Sequence, residues 1–123
     1  MRYTSEADYL KSHTTVPEGD LPIVLDAAER DIDGLTYNRI TARGFDTLSQ
    51  FQQDLIREAV YQQAEFRYQF GEMVASPFSS YGINGVSMSF DLTKMIQRSG
   101  VYAPVSVVAM LMQTGLMLRE VSS

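Results

Sequence analysis

The chain has no cysteine, no tryptophan and a single histidine among its 123 residues. The absence of cysteine excludes disulfides, zinc–thiolate sites and thiol catalysis, and it fits folding in a reducing cytoplasm. The one histidine, His13, stands near a loop with no second histidine in the chain. Histidine-based zinc sites and nucleophilic triads are therefore not expected within one chain, and His13 is predicted to be an ordinary surface loop residue.

Long hydrophobic runs are also missing. The longest apolar stretch, Val101 to Met112, is interrupted by Pro104 and Ser106. It falls short of the roughly 18 residues that a membrane span needs. The first residues show no apolar stretch behind Arg2, so no signal peptide is expected. The sequence predicts a cytosolic protein without a membrane partner.

Basic residues are the minority charge. Lys and Arg number 10 against 15 Asp and Glu, which gives a net charge of −5. An acidic surface repels phosphates, so ordinary DNA or RNA binding is disfavoured. Hydrophobic residues at 45% and charged residues at 20% give a globular balance. We predict one domain, residues 1–123, with an N-terminal helix and loop over 1–19 and a core over 20–121.

Two helix starts lie in the first third of the chain. Ser5 and Asp8 form a capping box, which predicts a helix ending at about Ser12. Asp20 is placed to cap a second helix with Pro22 in its first turn, and Gly34 suits the end of that helix. A loop with Pro17 and Gly19 separates the two helices, and an irregular connection over 37–45 follows the second.

The longest predicted helix runs from Thr47 to about Met73 and opens with a second capping box over 47–50. Its apolar residues recur by threes and fours: Leu48, Phe51, Leu55, Ala59, Phe66, Phe70 and Met73. Tyr61, Ala64 and Tyr68 form a second stripe on this helix. Tyrosine is enriched at protein interfaces, so this stripe indicates either a contact surface or the cover of a thick core.

The period changes after Pro77. Asn84-Gly85 is a strong hairpin signal, and residues 86–90 alternate strictly between apolar and polar. Beyond the hairpin, Asp91 is predicted to cap a short helix ending near Gly100. A last helix over 105–113 is apolar almost all round and is expected to be buried on every face, with Gly115 as its stop. The predicted fold is mainly α, a small helical bundle around one long central helix with a short β-hairpin insertion.

Carboxylates are the remaining source of chemistry. Asp26, Glu29, Asp31 and Asp33 cluster in the second helix, where we interpret them as a solvated face balanced by Arg30. A hydrolase that uses two of these carboxylates as general acid and base is a rival hypothesis. A calcium loop starting at Asp31 fails because the third acidic position and the distal glutamate are missing. We predict no catalytic residues, no metal and no cofactor.

Four segments, taken in order, resemble the head–tail connector (adaptor or head-completion) proteins of long-tailed bacteriophages. They are the helix end and turn over 28–40, the long helix with Phe51-Gln52 and Gln63-Ala64-Glu65, the segment 81–89 (YGINGVSMS) and the segment 111–119 (LMQTGLMLR). The resemblance covers about Leu21 to Val121, and residues 1–19 match no part of the family pattern.

The resemblance implies a virion structural protein that is assembled in the host cytoplasm. Copies would form a ring, dodecameric in the virion, between the portal protein and the next connector or tail protein. DNA would pass through its lumen during ejection, and some acidic residues are expected to face that lumen. The surfaces suited to subunit or portal contacts are Tyr37, Arg39, Tyr61, Tyr68, Ile83, Asn84, Val86, Met88 and Phe90. The alternative function is a small acidic, non-enzymatic regulatory or binding module that acts on another protein.

Overall fold

The computed structural model describes residues 3–75, 95–98 and 101–117. Within these ranges the chain is mainly helical, as the sequence predicts. The elements are α1 (Glu6–Ser12), α2 (Leu21–Leu35), α3 (Arg39–Arg43), a short 3-10 helix (Phe45–Thr47), α4 (Gln50–Ala75), β1 (Met95–Arg98), β2 (Val101–Pro104) and α5 (Val105–Thr114).

The first helix begins and ends where the sequence predicts. The Ser5 hydroxyl accepts a hydrogen bond from the Asp8 backbone N–H at 3.1 Å, which satisfies one of the free donors of the first turn. Asp8 also forms an ion pair with Lys11. The N-terminal segment is part of the core, because Tyr3, Tyr9 and Val16 are all buried.

The second helix is correctly predicted, but its ends differ from the prediction. Asp20 makes no side-chain cap bond, since its backbone (φ −97°, ψ −12°) is already in the helical region. At the other end the left-handed residues are Tyr37 (φ 56°) and Asn38 (φ 59°), and Gly34 is not one of them. The Tyr37 N–H donates to the Gly34 carbonyl at 3.3 Å, and the Asn38 N–H donates to the Asp33 carbonyl at 2.8 Å. This pair of bonds is the Schellman motif, with tyrosine where glycine is usual.

The long helix α4 begins two residues later than its predicted capping box. Ser49 is the capping residue, because its hydroxyl accepts from the Gln52 N–H at 3.1 Å. The Gln52 side-chain oxygen in turn accepts a hydrogen bond from the Ser49 N–H at 3.0 Å. Near its other end α4 is kinked at Phe70 (φ −127°, ψ 35°), next to Gly71.

Helix α4 is the centre of the bundle, with α2 packed along one side and α5 along another. Two hydrogen bonds show that α5 runs antiparallel to α4. The Ser106 hydroxyl donates to the Gln62 side chain at 2.8 Å, and the Gln52 side chain donates to the Thr114 carbonyl at 3.0 Å. Because α4 is covered on several sides, its buried surface is wider than one stripe. It comprises Ile56, Ala59, Val60, Tyr61, Gln63, Ala64 and Phe66. Phe51, predicted to face the core, is 60% exposed.

The two strands form an antiparallel pair in which Met95 faces Pro104 and Arg98 faces Val101. The helix predicted from Asp91 to Gly100 is therefore wrong, since β1 occupies its second half. Pairing with β2, whose Ala103 is buried in the core, overrides the local helix signal. The hairpin predicted at Asn84-Gly85 lies outside the described residues.

The last helix, α5, has one buried face and one exposed face. Val107, Val108, Leu111 and Thr114 are buried, and Gly115 ends the helix in the left-handed region (φ 79°) as predicted. Val105, Ala109 and Met112 are exposed on the other face. The expectation that α5 is buried on every face is therefore wrong; among the described elements, α4 and the two strands are its main neighbours.

Candidate functional site

Three carboxylates of α2 lie inside the molecule, which contradicts the prediction of a solvated face. Glu29 is buried and accepts hydrogen bonds from the Tyr3 N–H (3.2 Å), the Thr4 N–H (3.0 Å) and the Thr4 hydroxyl (2.6 Å). A buried charge is tolerated only when it is paired or well hydrogen-bonded. Glu29 meets this condition through its hydrogen bonds from Tyr3 and Thr4. Arg30 is exposed and does not balance this carboxylate.

Asp31 is the centre of a second buried contact. Arg67 of α4 binds both carboxylate oxygens through Nε at 2.5 Å and a terminal nitrogen at 3.0 Å, which is a bidentate pair. Gln63 donates to the same carboxylate at 2.8 Å and to the Tyr102 carbonyl of β2 at 3.0 Å. The Gln63 amide therefore joins α2, α4 and β2, while its own oxygen is buried and accepts no hydrogen bond from the residues that the structure describes.

Asp33 completes the row by accepting from the Tyr3 hydroxyl at 2.7 Å. Tyr3 also contacts Thr41 at 3.2 Å, so it connects α2 to α3. Asp31 and Asp33 thus have different partners, and both are buried. The row is arranged as internal support, and the rival hydrolase hypothesis gains no open pair of carboxylates from it.

An aromatic cluster fixes α1 to α4. The Tyr9 ring stacks on His13 at 5.1 Å between centroids and meets Tyr61 edge-on at 5.5 Å. The Tyr9 hydroxyl donates to Glu65 at 2.9 Å and accepts from the Val16 N–H at 3.1 Å. Burial raises the pKa of Tyr9 to about 12, and burial also raises the pKa of Tyr61.

His13 belongs to this cluster and is not a plain surface loop residue. Its Nε2 lies 3.2 Å from Glu58 and its Nδ1 lies 2.8 Å from the Ser12 hydroxyl. Only 15% of its side chain is exposed. The sequence did not indicate this position, because the α4 partner Glu58 is 45 residues away along the chain.

Tyr37 and Arg39 come together at the turn after α2. The Arg39 guanidinium lies over the Tyr37 ring at 5.1 Å and donates to the Leu116 carbonyl at 3.1 Å. The left-handed backbone of Tyr37 costs roughly 1–2 kcal/mol relative to an ordinary conformation. The turn thus connects the end of α2 to the segment after α5, and it carries a strained tyrosine on a half-buried site.

The other predicted contact residues are distributed unevenly. Tyr68 is exposed on α4, as a contact residue must be, whereas Tyr61 is buried against Tyr9 inside the subunit. Of the two interpretations of the tyrosine stripe, Tyr61 therefore fits the core. Ile83, Asn84, Val86, Met88 and Phe90 lie outside the described residues.

Large apolar side chains are exposed on three helices, and two of them, Phe51 and Met112, belong to apolar sets that the sequence predicts to be buried. Ile23 of α2 is 74% exposed, Phe51 of α4 is 60% exposed and Met112 of α5 is 55% exposed. Helical spacing pointed Phe51 to the interior, whereas tertiary packing decides which apolar residues remain outside. These side chains are available for contact with another molecule.

In the ranges 3–75, 95–98 and 101–117, no group of three or more His, Asp or Glu side chains is placed to hold a metal ion. No helix in the same ranges has the length and apolar character to cross a membrane. Compared with family models, curated proteins and solved structures, the chain matches none.

Proposed function

We propose that this chain is a subunit of a phage head–tail connector, which assembles into a ring between portal and tail and lets DNA pass. The observation that carries the proposal is the set of exposed apolar side chains, Ile23, Phe51 and Met112, on a helical bundle that has a buried core of its own. A continuous exposed apolar patch is typical of sites that contact other proteins, so the proposal requires these side chains to lie on the subunit interfaces. The mainly helical architecture around one long helix is the one the sequence resemblance implies.

A ring requires two different, complementary surfaces on each subunit. One surface contacts the preceding copy, and the other contacts the next copy. The exposed residues lie on α2, α4 and α5, so apolar contact surface is present on more than one helix. Three carboxylates of α2 are committed to internal hydrogen bonds. An acidic lumen would therefore be built from other residues, among which Asp8, Asp46 and Asp54 are exposed.

The proposal is tested by mixing the purified chain with purified portal protein. We expect ring-shaped particles by negative-stain microscopy and a complex mass that corresponds to many copies on one portal. A chain that leaves the portal unbound and stays a fixed dimer would contradict the proposal and favour the acidic binding module. A cryo-electron microscopy map of the complex would then test the lumen, since a clearly positive bore would contradict the acidic lining.

A further inference from the structure

The turn after α2 and the short helix α3 form a basic corner on an acidic protein. The α3 corner consists of Tyr37, Arg39 and Arg43, and residues 37–43 contain no acidic side chain. Arg39 is held by the Tyr37 ring and the Leu116 carbonyl, so its position is fixed. Arg43 is exposed, and its guanidinium makes no hydrogen bond or ion pair with the described residues.

The backbone at this corner does not favour a tyrosine. Tyr37 takes φ 56° at the helix-end position where glycine is usual. Glycine would close the same turn without strain, because it has no Cβ to clash. A tyrosine kept at such a site is consistent with a role for its ring beyond closing the helix, since backbone strain is concentrated at functional positions.

An oppositely charged loop lies at the other end of the same helix. The acidic loop carries Glu18 and Asp20, both exposed, just before α2 begins at Leu21. Asp20 occupies the capping position but makes no capping bond, so its carboxylate is not used by the helix. The 15 residues of α2 separate Asp20 from the turn at Tyr37 by about 20 Å, at 1.5 Å of rise per residue.

We infer that the α3 corner of one subunit receives the acidic loop of the next subunit, with Arg43 paired to Glu18 or Asp20. The inference rests on the proposed ring and names its subunit contact. A closed ring needs two unlike surfaces that face opposite directions, and the two ends of α2 supply surfaces of opposite sign. Charge complementarity of this type sets which surfaces meet and suppresses wrong pairings.

Charge reversal tests this contact with two variants. The first variant is Arg43→Glu, which makes both surfaces acidic. The second is Glu18→Arg with Asp20→Arg, which makes both surfaces basic. Each variant alone places like charges at every contact, so we expect its assembly with portal to need at least about a tenfold higher subunit concentration.

The two variants mixed in equal amounts provide the decisive measurement. Alternating copies restore opposite charges at every contact, so rings should form from the mixture, with both variants present by native mass spectrometry. Arg30→Glu is the matched control, because it is an exposed arginine in the middle of α2 and carries the same change of charge. Its assembly should equal that of the unchanged chain.

Two results would overturn the inference while leaving the proposed ring intact. Either the single variants assemble as well as the unchanged chain, or they fail and the mixture fails too. A lower melting temperature with unchanged assembly would mean that these charges act only on the α2 dipole. If the unchanged chain forms no ring on portal, the proposed function itself is wrong.

Tyr37→Gly tests the tyrosine separately. We expect its melting temperature to be unchanged or higher, because the strain is relieved, while assembly weakens through loss of the ring. Tyr37→Phe keeps the ring and should assemble normally. If Tyr37→Gly assembles normally, the ring of Tyr37 does not belong to the contact.

Discussion

Individual side chains decide which acidic residues of α2 are exposed to solvent. Glu29, Asp31 and Asp33 read as a hydrophilic face in the sequence, yet each finds donors from distant parts of the chain. These partners are 25 to 36 residues away in the sequence, so no local sequence pattern predicts them. The buried row therefore could not be predicted from helical spacing alone.

The Asp31–Arg67 pair gives a prediction at this scale. Arg67→Met should lower the free energy of unfolding by about 3 kcal/mol, because Asp31 stays buried with only the Gln63 amide as donor. Urea denaturation followed by circular dichroism measures the change. Asp31→Leu combined with Arg67→Met should recover much of the loss, since no unpaired charge remains. Equal losses in the single and double variants would contradict this account.

Tyr9 gives a prediction of pH dependence. Its pKa is raised to about 12 in the folded chain, so the folded state keeps the phenol proton where the unfolded state has lost it. Its contribution to stability is fully present below the ordinary pKa of 10 and is lost as pH rises through about 12.

The measurement compares Tyr9→Phe with the unchanged chain across that pH window. The urea midpoint of the unchanged chain should fall more steeply, whereas the variant keeps a smaller slope from Tyr61, whose pKa is also raised. At neutral pH the variant should lose about 1–2 kcal/mol with the hydroxyl bonds to Glu65 and Val16. If the urea midpoints of the two proteins fell in parallel above pH 10, the pKa of Tyr9 would be the same in the folded and unfolded states, which would contradict this account.

At the scale of elements, the sequence predicted α1, α2, α4 and α5, because their caps and apolar spacing are local. It failed at β1, where pairing with β2 prevails over a helix signal from Asp91. It also failed on the exposed side of α5 and at Phe51, since the number of neighbours around α4 is a tertiary property. Among the candidate contact residues, Tyr68 is exposed and Tyr61 is buried, and the contacts themselves stay a prediction.

The two faces of α5 provide a matched pair of substitutions. Leu111→Asp should unfold the subunit, because a buried unpaired charge costs several kcal/mol, which is of the order of the whole stability. Met112→Asp, one residue along on the exposed face, should leave the melting temperature nearly unchanged. Thermal unfolding followed by circular dichroism distinguishes them. A similar collapse in Met112→Asp would mean that this face is covered within the subunit.

At the scale of the whole molecule, the N-terminal segment is part of the domain and not an appendage. Tyr3, Tyr9 and Val16 are buried, and Glu29 depends on Tyr3 and Thr4 for its hydrogen bonds. The Arg57 side chain also donates to the Tyr3 carbonyl at 3.1 Å. The division into 1–19 and a core over 20–121 therefore does not mark a separable piece.

Deletion of residues 1–16 tests this unity. The shortened chain should show a loss of cooperative unfolding, because apolar surface of α2 and α4 is uncovered and the Glu29 carboxylate loses three donors. Adding Glu29→Leu to the deletion should recover part of the stability. Thermal melts and size-exclusion chromatography measure both effects. A shortened chain that melts like the full one would mean that α1 contributes little to the core.

The antiparallel seating of α5 on α4 has a consequence for synthesis. The middle of α4, which α5 packs against, leaves the ribosome roughly 50 residues before Val107 and Leu111 of α5 do. At a translation rate of about 5–20 residues per second, this apolar surface of the nascent chain stays uncovered for a few seconds. A chaperone that grips extended apolar segments would find its target there, and an arrested translation product ending before residue 105 would be the form it holds longest.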